Sequence, residues 1–192
     1  MRVPSLPVED RRPIYVVSDC EHSWVNSVRN LVRPLMPIPS RWLDWPSLYV
    51  QQAPAGSVVA FLHWSQRVPE WFTDSRICIN FHCTDLPFGR GGHPIENMIL
   101  RGVHSTCMTA HRMTGGLDDG NIIAKRPGID ISSGSRMEIL DRFVAPVSDI
   151  FVDILGDLDL TGQPQVGVPV EFRRLTQHEL KQLWSLRSVR KI

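Results

Sequence analysis

No stretch of this sequence is apolar for long enough to cross a bilayer. The longest such run, Ser57 to Trp64, falls far short of the roughly 20 residues a spanning helix needs. The opening residues Met1 to Pro7 lack the apolar centre of a secretory signal. The four cysteines, Cys20, Cys78, Cys83 and Cys107, contain no CxxC pair and sit in a 192-residue chain, too large to need disulfide staples. Charge of one sign is missing too: 21 basic against 20 acidic residues give a net charge of +1, which offers no general attraction to nucleic acid or to an anionic membrane. Internal repeats and low-complexity segments are absent. What remains is one globular domain with free thiols, expected in the cytoplasm, with a small-molecule substrate and neither a nucleic-acid nor a membrane partner. Its assembly stays open between monomer and homodimer.

What is present alternates between strand and helix signals. Residues 1–12 read as an irregular leader. Ile14 to Val17 is a short β-branched run ended by Ser18-Asp19, and a helical pattern follows with Val25, Val28, Leu31 and Val32 on one face. Pro34, Pro37 and Pro39 stop that helix, and Arg41 to Gln52, with Trp42, Trp45, Leu48 and Tyr49, reads as a second, short helix. Trp42 and Trp45 at that spacing read as core rather than as a stack for a nucleotide base. Ser57 to Trp64 is a buried strand, Pro69 opens a helix through Phe72, and Ile77 to His82 is the next strand. Strand, helix and strand in so short a span form a crossover, hence a parallel sheet. Pro94 starts a helix with Ile95, Met98 and Ile99 on one face. Ser105 to Met113 and Asn121 to Lys125 form a hairpin across Gly115 to Gly120. From Ser132 or Ser133 a long helical pattern runs to Ile154, with Pro146 predicting a kink or break. Val168 to Arg173 is an edge strand, and Thr176-Gln177-His178-Glu179 is a capping box opening a final helix. The domain reads as residues 13–175, followed by a short helix and basic tail over 176–192. Residues 173–192 hold six basic groups against Glu179 alone; a solvated tail is the default, a phosphate contact the alternative.

The chemistry concentrates between Ile77 and Asn121. On a strand, Ile77, Ile79 and Phe81 turn to an apolar layer, while Asn80 and His82 share the opposite face. Such a pair on its own is more often two satisfied core polar groups than an active site. Cys78, His82, Cys83 and His93 match no zinc-ligand spacing, and Cys83 faces away from His82, which removes a nucleophilic dyad. Gly89-Arg90-Gly91-Gly92 is neither a dinucleotide fingerprint nor a P-loop.

The order of short motifs tells more than any one of them. Asn80-Phe81-His82, Leu86-Pro87, Gly89 to Gly92, and Leu117-Asp118-Asp119-Gly120, with 36 residues between His82 and Asp118, together resemble the folate-dependent formyltransferase family over about residues 57–125. The resemblance implies a Rossmann-like α/β formyltransferase fold, with a mostly parallel central sheet flanked by helices and a β-hairpin carrying the catalytic Asp118. It also implies 10-formyltetrahydrofolate as formyl donor, no metal, and catalytic roles for Asn80, His82 and Asp118. The family's motif register selects Asp118 over its neighbour Asp119. Formyl transfer to an amine passes through a tetrahedral carbon bearing an oxyanion. Asn80 supplies a neutral donor to that oxygen, His82 a second one as an imidazolium held by Asp118, and Asp118 relays the amine's proton. By the same resemblance, folate contacts fall on Trp64, Val68, Pro87, Gly91 and Leu117.

The loop after the first strand, Ser18 to Trp24, lies where open α/β sheets bind ligands, although Asp19 would serve equally as a helix cap. The resemblance turns the balance toward binding and assigns Ser18 and Asp19 to the substrate. Asp85 is a weaker candidate of the same kind, or a turn cap. Three acceptors occur in the family. A methionyl-tRNA acceptor is disfavoured because only 36 residues follow Gly156, where those enzymes carry a further domain. Glycinamide ribonucleotide is disfavoured because Ser18-Asp19-Cys20-Glu21 is too acidic for a phosphate cradle. Amino groups of nucleotide-linked deoxysugars remain, with the purine-pathway acceptor and a catalytically inactive binding module as alternatives.

Overall fold

The computed structural model describes residues 6–18, 22–37, 40–44 and 53–189. In chain order the elements are β1 (Ile14–Ser18), α1 (Ser23–Val32), β2 (Arg41–Asp44), β3 (Val58–Leu62), α2 (Glu70–Asp74), β4 (Ile77–His82), β5 (Phe88–Gly91) and α3 (Pro94–Leu100). There follow β6 (Ser105–Arg112), β7 (Ile122–Asp130), α4 (Arg136–Asp141), α5 (Val144–Leu155), β8 (Val170–Phe172) and α6 (Gln177–Val189). Six strands form one sheet in the order β2-β1-β3-β4-β6-β7. The first three pairings are parallel and the last two antiparallel, so the expected crossovers build one half and the expected hairpin the other. A separate parallel ribbon joins β5 to β8.

Alternation along the strands divides the core into two layers. Ile14, Val16, Val58, Ala60, Ile79 and Phe81 face one side, where Val25 and Val28 of α1 and Val147, Ile150 and Phe151 of α5 cover them. Phe81 stacks on Phe151 with ring centroids 4.9 Å apart. Tyr15, Val17, Val59, Phe61 and Cys78 face the other side, against Val68 and Phe72 of α2 and the turn before it. The parity that buries Ile79 and Phe81 under α5 therefore sends Asn80 and His82 to the opposite face, as the sequence predicts.

Several expectations are corrected. The first described stretch after the proline cluster is a strand: β2 occupies Arg41–Asp44 and pairs with β1, because an edge position satisfies the backbone donors of a neighbouring strand that a short helix would leave open. The side chain of Trp42, and Trp45 with the rest of the segment to Gln52, lie outside the described residues. Leu31 is exposed, and Trp24 takes its place in the core face of α1. The long helix breaks at Arg142 and Phe143, ahead of Pro146. Pro146 thus falls in the first turn of α5, where its missing N–H costs nothing. The Gly-rich turn is in part the strand β5. Three described arginines of the basic C-terminal segment are engaged: the Arg173 guanidinium pairs with Glu179, Arg174 donates to Ser65 O at 2.6 Å, and Arg187 donates to Ile131 O at 3.0 Å. The predicted capping box is present, with Thr176 N–H donating to Glu179 Oε2 at 2.8 Å and Glu179 N–H to Thr176 Oγ1 at 3.3 Å. Among the described residues no helix is long and apolar enough to cross a membrane.

Candidate active site

Asn80 and His82 stand at the carboxyl end of β4, a central strand that joins the parallel half of the sheet to the antiparallel half. The hairpin loop between β6 and β7 returns Asp118 to them. Asn80 Nδ2 lies 3.4 Å from Asp118 Oδ1, and His82 Nδ1 lies 3.7 Å from Asp118 Oδ2. The main chain of β5 completes the enclosure: Gly91 N–H donates to Asp118 Oδ2 at 2.9 Å. Only glycine fits at 91, since φ is +103° and a Cβ would stand 2.4 Å from Phe172 O. Asp118 itself adopts φ +46°, a left-handed backbone that a non-glycine residue holds only when its surroundings fix it.

A fourth side chain belongs to this cluster. His111 of β6 is the direct cross-strand partner of Asn80, is 2% exposed, and places Nε2 3.3 Å from Asn80 Nδ2 and 3.4 Å from Asp118 Oδ1. Its Nδ1 is 2.8 Å from Arg112 O. A carbonyl only accepts, so Nδ1 carries a proton, and Nε2 accepts from Asn80 in the neutral ring or donates to Asp118 when the ring is doubly protonated. The same argument applies to His82, whose Nε2 donates to Gly89 O at 2.7 Å. Each ring thus has one N–H committed to the main chain and turns its other nitrogen toward Asp118. A second proton on either ring is shared with that carboxylate.

The electrostatics follow from this geometry. Burial lowers the His82 pKa below its ordinary value, against the opposing pull of the Asp118 charge and the Gly89 carbonyl. Burial raises the Asp118 carboxyl, but the His111 hydrogen bond, the charges of both imidazoles and the Gly91 N–H outweigh it and hold the group well below the usual carboxylate range. Burial thus favours the neutral His82 ring and the Asp118 charge favours its imidazolium, and Nδ1 is the nitrogen that faces the carboxylate. Burial pushes the Cys83 thiol up to about 12, with the Glu96 charge adding to it; this thiol supplies no nucleophile at neutral pH. Among the described residues no group of His, Cys, Asp and Glu is arranged to hold a metal ion.

These groups open on a cleft of about 730 Å³ whose walls include Trp64, Val68, Gly91, Met113, Leu117 and Arg174. Four of the five residues expected at a folate thus share one cavity with Asn80, His82 and Asp118. Pro87 is not among its described lining residues; it packs near Gly167. Neither is Asp85, which bonds Lys125 Nζ at 2.5 Å while the same ammonium donates to Leu86 O. An acid that closes a turn onto a lysine is held away from the cleft. Ser18 ends β1 outside the described lining, and Asp19 lies outside the described residues. Asp119 accepts from the Thr114 hydroxyl within its own loop, which leaves Asp118 as the carboxylate that reaches the strand.

A protein-family model described as formyl transferase matches residues 52–153. The chain belongs to that family. The matched region carries Asn80, His82, His111 and Asp118 together. Among relatives of this formyltransferase-family chain, a methionyl-tRNA formyltransferase of Variovorax paradoxus is 32% identical over 123 residues, covering 62% of the chain and 38% of the relative. The chain thus spans well under half the length of that curated relative. Among solved structures, a methionyl-tRNA formyltransferase from Clostridium thermocellum superposes with a TM-score of 0.68 at 27% identity, covering 88% of this chain and 74% of that one. The formyltransferase PseJ from Anoxybacillus kamchatkensis, in complex with UDP-4,6-dideoxy-4-formamido-L-AltNAc and tetrahydrofolate, superposes with a TM-score of 0.57 at 16% identity, covering 89% and 90%; that likeness is one of fold.

Proposed function

We propose that this chain transfers a formyl group from 10-formyltetrahydrofolate to a primary amine, and that the amine is carried on a nucleotide-linked deoxyamino sugar. The observation that carries the formyl-transfer reading is the convergence of Asn80, His82 and Asp118 on one wall of a cleft whose other walls combine apolar side chains with charged ones such as Arg67, Glu96 and Arg174. A cleft of about 730 Å³ is of the size that encloses a cofactor-sized molecule. The flat, partly apolar ring system of a folate suits walls formed by Trp64, Val68, Met113 and Leu117.

The chemistry assigned to the residues is as follows. The amine lone pair forms the new N–C bond at the formyl carbon while the carbonyl π pair moves onto oxygen. Asn80 Nδ2–H is the preorganised donor to that oxygen. The amine sheds a proton to the acceptors that face it, His82 Nδ1 and Asp118. Once His82 holds that proton its Nδ1–H becomes a second donor, so proton removal and charge stabilisation are coupled in one ring. The pair then returns from oxygen as the bond to the folate nitrogen breaks, and the held proton goes to that leaving nitrogen. The long Asn80 contacts, 3.3 and 3.4 Å, suit a donor that exchanges partners when substrate arrives.

Two observations support a small acceptor. The chain carries a net charge of only +1, and Arg173, Arg174 and Arg187 each donate to a group within the chain. A second acceptor, the amino group of methionyl-tRNA, is favoured by the names of the sequence relatives. The deciding experiment supplies 10-formyltetrahydrofolate with nucleotide-linked 3-amino and 4-amino sugars, glycinamide ribonucleotide and methionyl-tRNA, and follows tetrahydrofolate release. Turnover is expected with an amino sugar and should fall on the order of a hundredfold to a thousandfold in Asn80→Ala. Turnover with the tRNA alone overturns the acceptor, and no turnover with any amine overturns the reaction.

A further inference from the structure

The segment between α5 and β8 has no regular structure, yet one of its side chains reaches the active-site loop. Asp159 caps its turn, accepting from Thr161 N–H at 2.9 Å. The chain then runs antiparallel beside the start of β7. Ile122 N–H donates to Gln163 O and Gln163 N–H to Ile122 O, both at 2.8 Å, and Asn121 Nδ2 donates to Thr161 O at 3.1 Å. Gly162 permits this approach: its φ is +67°, and a Cβ would stand 2.6 Å from Ile122 O. Two residues past the bridge, Gln165 turns its amide onto the Asp118 loop. Nε2 donates to Asp118 O at 2.8 Å and to Gly120 O at 2.9 Å. Oε1 accepts from Arg90 Nε at 3.2 Å and Nη2 at 2.7 Å. Both amide hydrogens and both oxygen lone pairs are used.

We propose that Gln165 is a positioning residue for Asp118, locking the main chain of the loop to the strand whose next residue, Gly91, holds the carboxylate. The loop from Thr114 to Asp119 is mostly exposed, and the left-handed backbone at Asp118 persists only where its surroundings hold it. Gln165 fixes the carbonyl of that strained residue, Gly91 fixes its carboxylate, and Arg90 ties the two holders together. Released, the loop is free to relax its backbone and carry the carboxylate away from His82 Nδ1 and His111 Nε2. Gln165 lies beyond the residues matched by the family model, so family membership does not assign it this task.

The test uses the full chain with Gln165→Ala and Gln165→Glu. The glutamate keeps the size and the Arg90 partner but has no hydrogen to give, and it sets a negative oxygen against two carbonyls. It should therefore be at least as harmful as alanine, which a role in filling space does not predict. Two readouts are taken. The first, which rests on the formyl-transfer reading, is turnover: kcat should fall on the order of a hundredfold, as expected for a misplacement of about 1 Å, with the donor KM little changed. The second needs no substrate: the ring resonances of His82 and His111 are titrated by NMR, with Asp118→Asn as the reference for complete loss of the charge. His82 faces Asp118, Gly89 O and His111, and in both Gln165 variants its midpoint should move to lower pH, toward that of the reference. Titration and kcat equal to the parent's in both variants, with only thermal stability reduced, overturn the proposal. A parent with no turnover overturns the formyl-transfer reading, and the titration then decides on Gln165 alone. If Gln165→Ala fails to fold, Arg90→Ala, which leaves both amide hydrogens but frees their holder, should shift the His82 midpoint in the same direction by less; no shift there counts against the proposal.

Discussion

At the scale of single residues, the buried imidazole of His82 governs behaviour that is measurable without knowing the substrate. In the unfolded chain the ring takes a proton near pH 6.5, and in the folded chain burial lowers that value. The unfolded state therefore binds more protons below about pH 6.5, so stability falls as pH drops from there to the folded value, with a slope of at most about 1.4 kcal/mol per pH unit. Asp118 adds a lower step, because its folded carboxyl titrates below the unfolded one and the stability it contributes disappears as pH falls through the folded value. Urea denaturation of the parent and of His82→Gln between pH 7.5 and 4.5 checks this: the variant should lack the first decline, and parallel profiles would contradict it. Asn80, His82 and Asp118 were legible in the sequence because strand parity pairs the first two and a motif register marks the third. His111 was not. The strand from Ser105 was readable, but the register that sets residue 111 opposite Asn80 depends on a partner strand about 30 residues earlier. Asp85 stays open in the sequence between a substrate contact and a turn cap, because an acid after a strand end looks the same whether it faces a cleft or Lys125.

Elements follow local rules where those rules act alone. Ser135 caps α4 in a reciprocal box, with Glu138 N–H donating to Ser135 Oγ at 3.3 Å and Ser135 N–H to Glu138 Oε2 at 2.6 Å. Ser135→Ala should cost about 1 kcal/mol, seen as a lower urea midpoint at unchanged slope; an unchanged midpoint would show that packing of Ile139 and Leu140 carries the helix unaided. The helical pattern is real, but it begins at Arg136 behind Ser135 rather than at Ser132 or Ser133, and its junction with α5 falls ahead of Pro146. Pro146 is a helix breaker only after the first turn, and the break ahead of it depends on burying Phe143 and Leu140 together, which is a tertiary fact. The same limit explains β2. Trp42 and Trp45 are spaced for a helix, but the open edge of β1 offered hydrogen bonds that local spacing does not register.

For the whole molecule, acidic and basic groups are balanced in number, and several of them pair in space. Arg126 pairs with Asp153, Arg136 with the buried Glu96, and Arg142 with Asp130. With Arg173, Arg174 and Arg187 engaged as well, the chain should elute from heparin at or below physiological salt, since retention requires several cations free to meet an anionic polymer; firm retention would point instead to a polyanionic acceptor. The sheet and its helices span residues 14–155, but the contacts that finish the active site come from farther along the chain. Gln165 steadies the Asp118 loop, Phe172 pairs with the strand that holds its carboxylate, and Arg174 bridges to Ser65 across the cleft. On a ribosome those residues emerge after the sheet and its helices. A nascent chain that has already buried its core still lacks an ordered site, so competence for chemistry arrives as a separate and later event than folding.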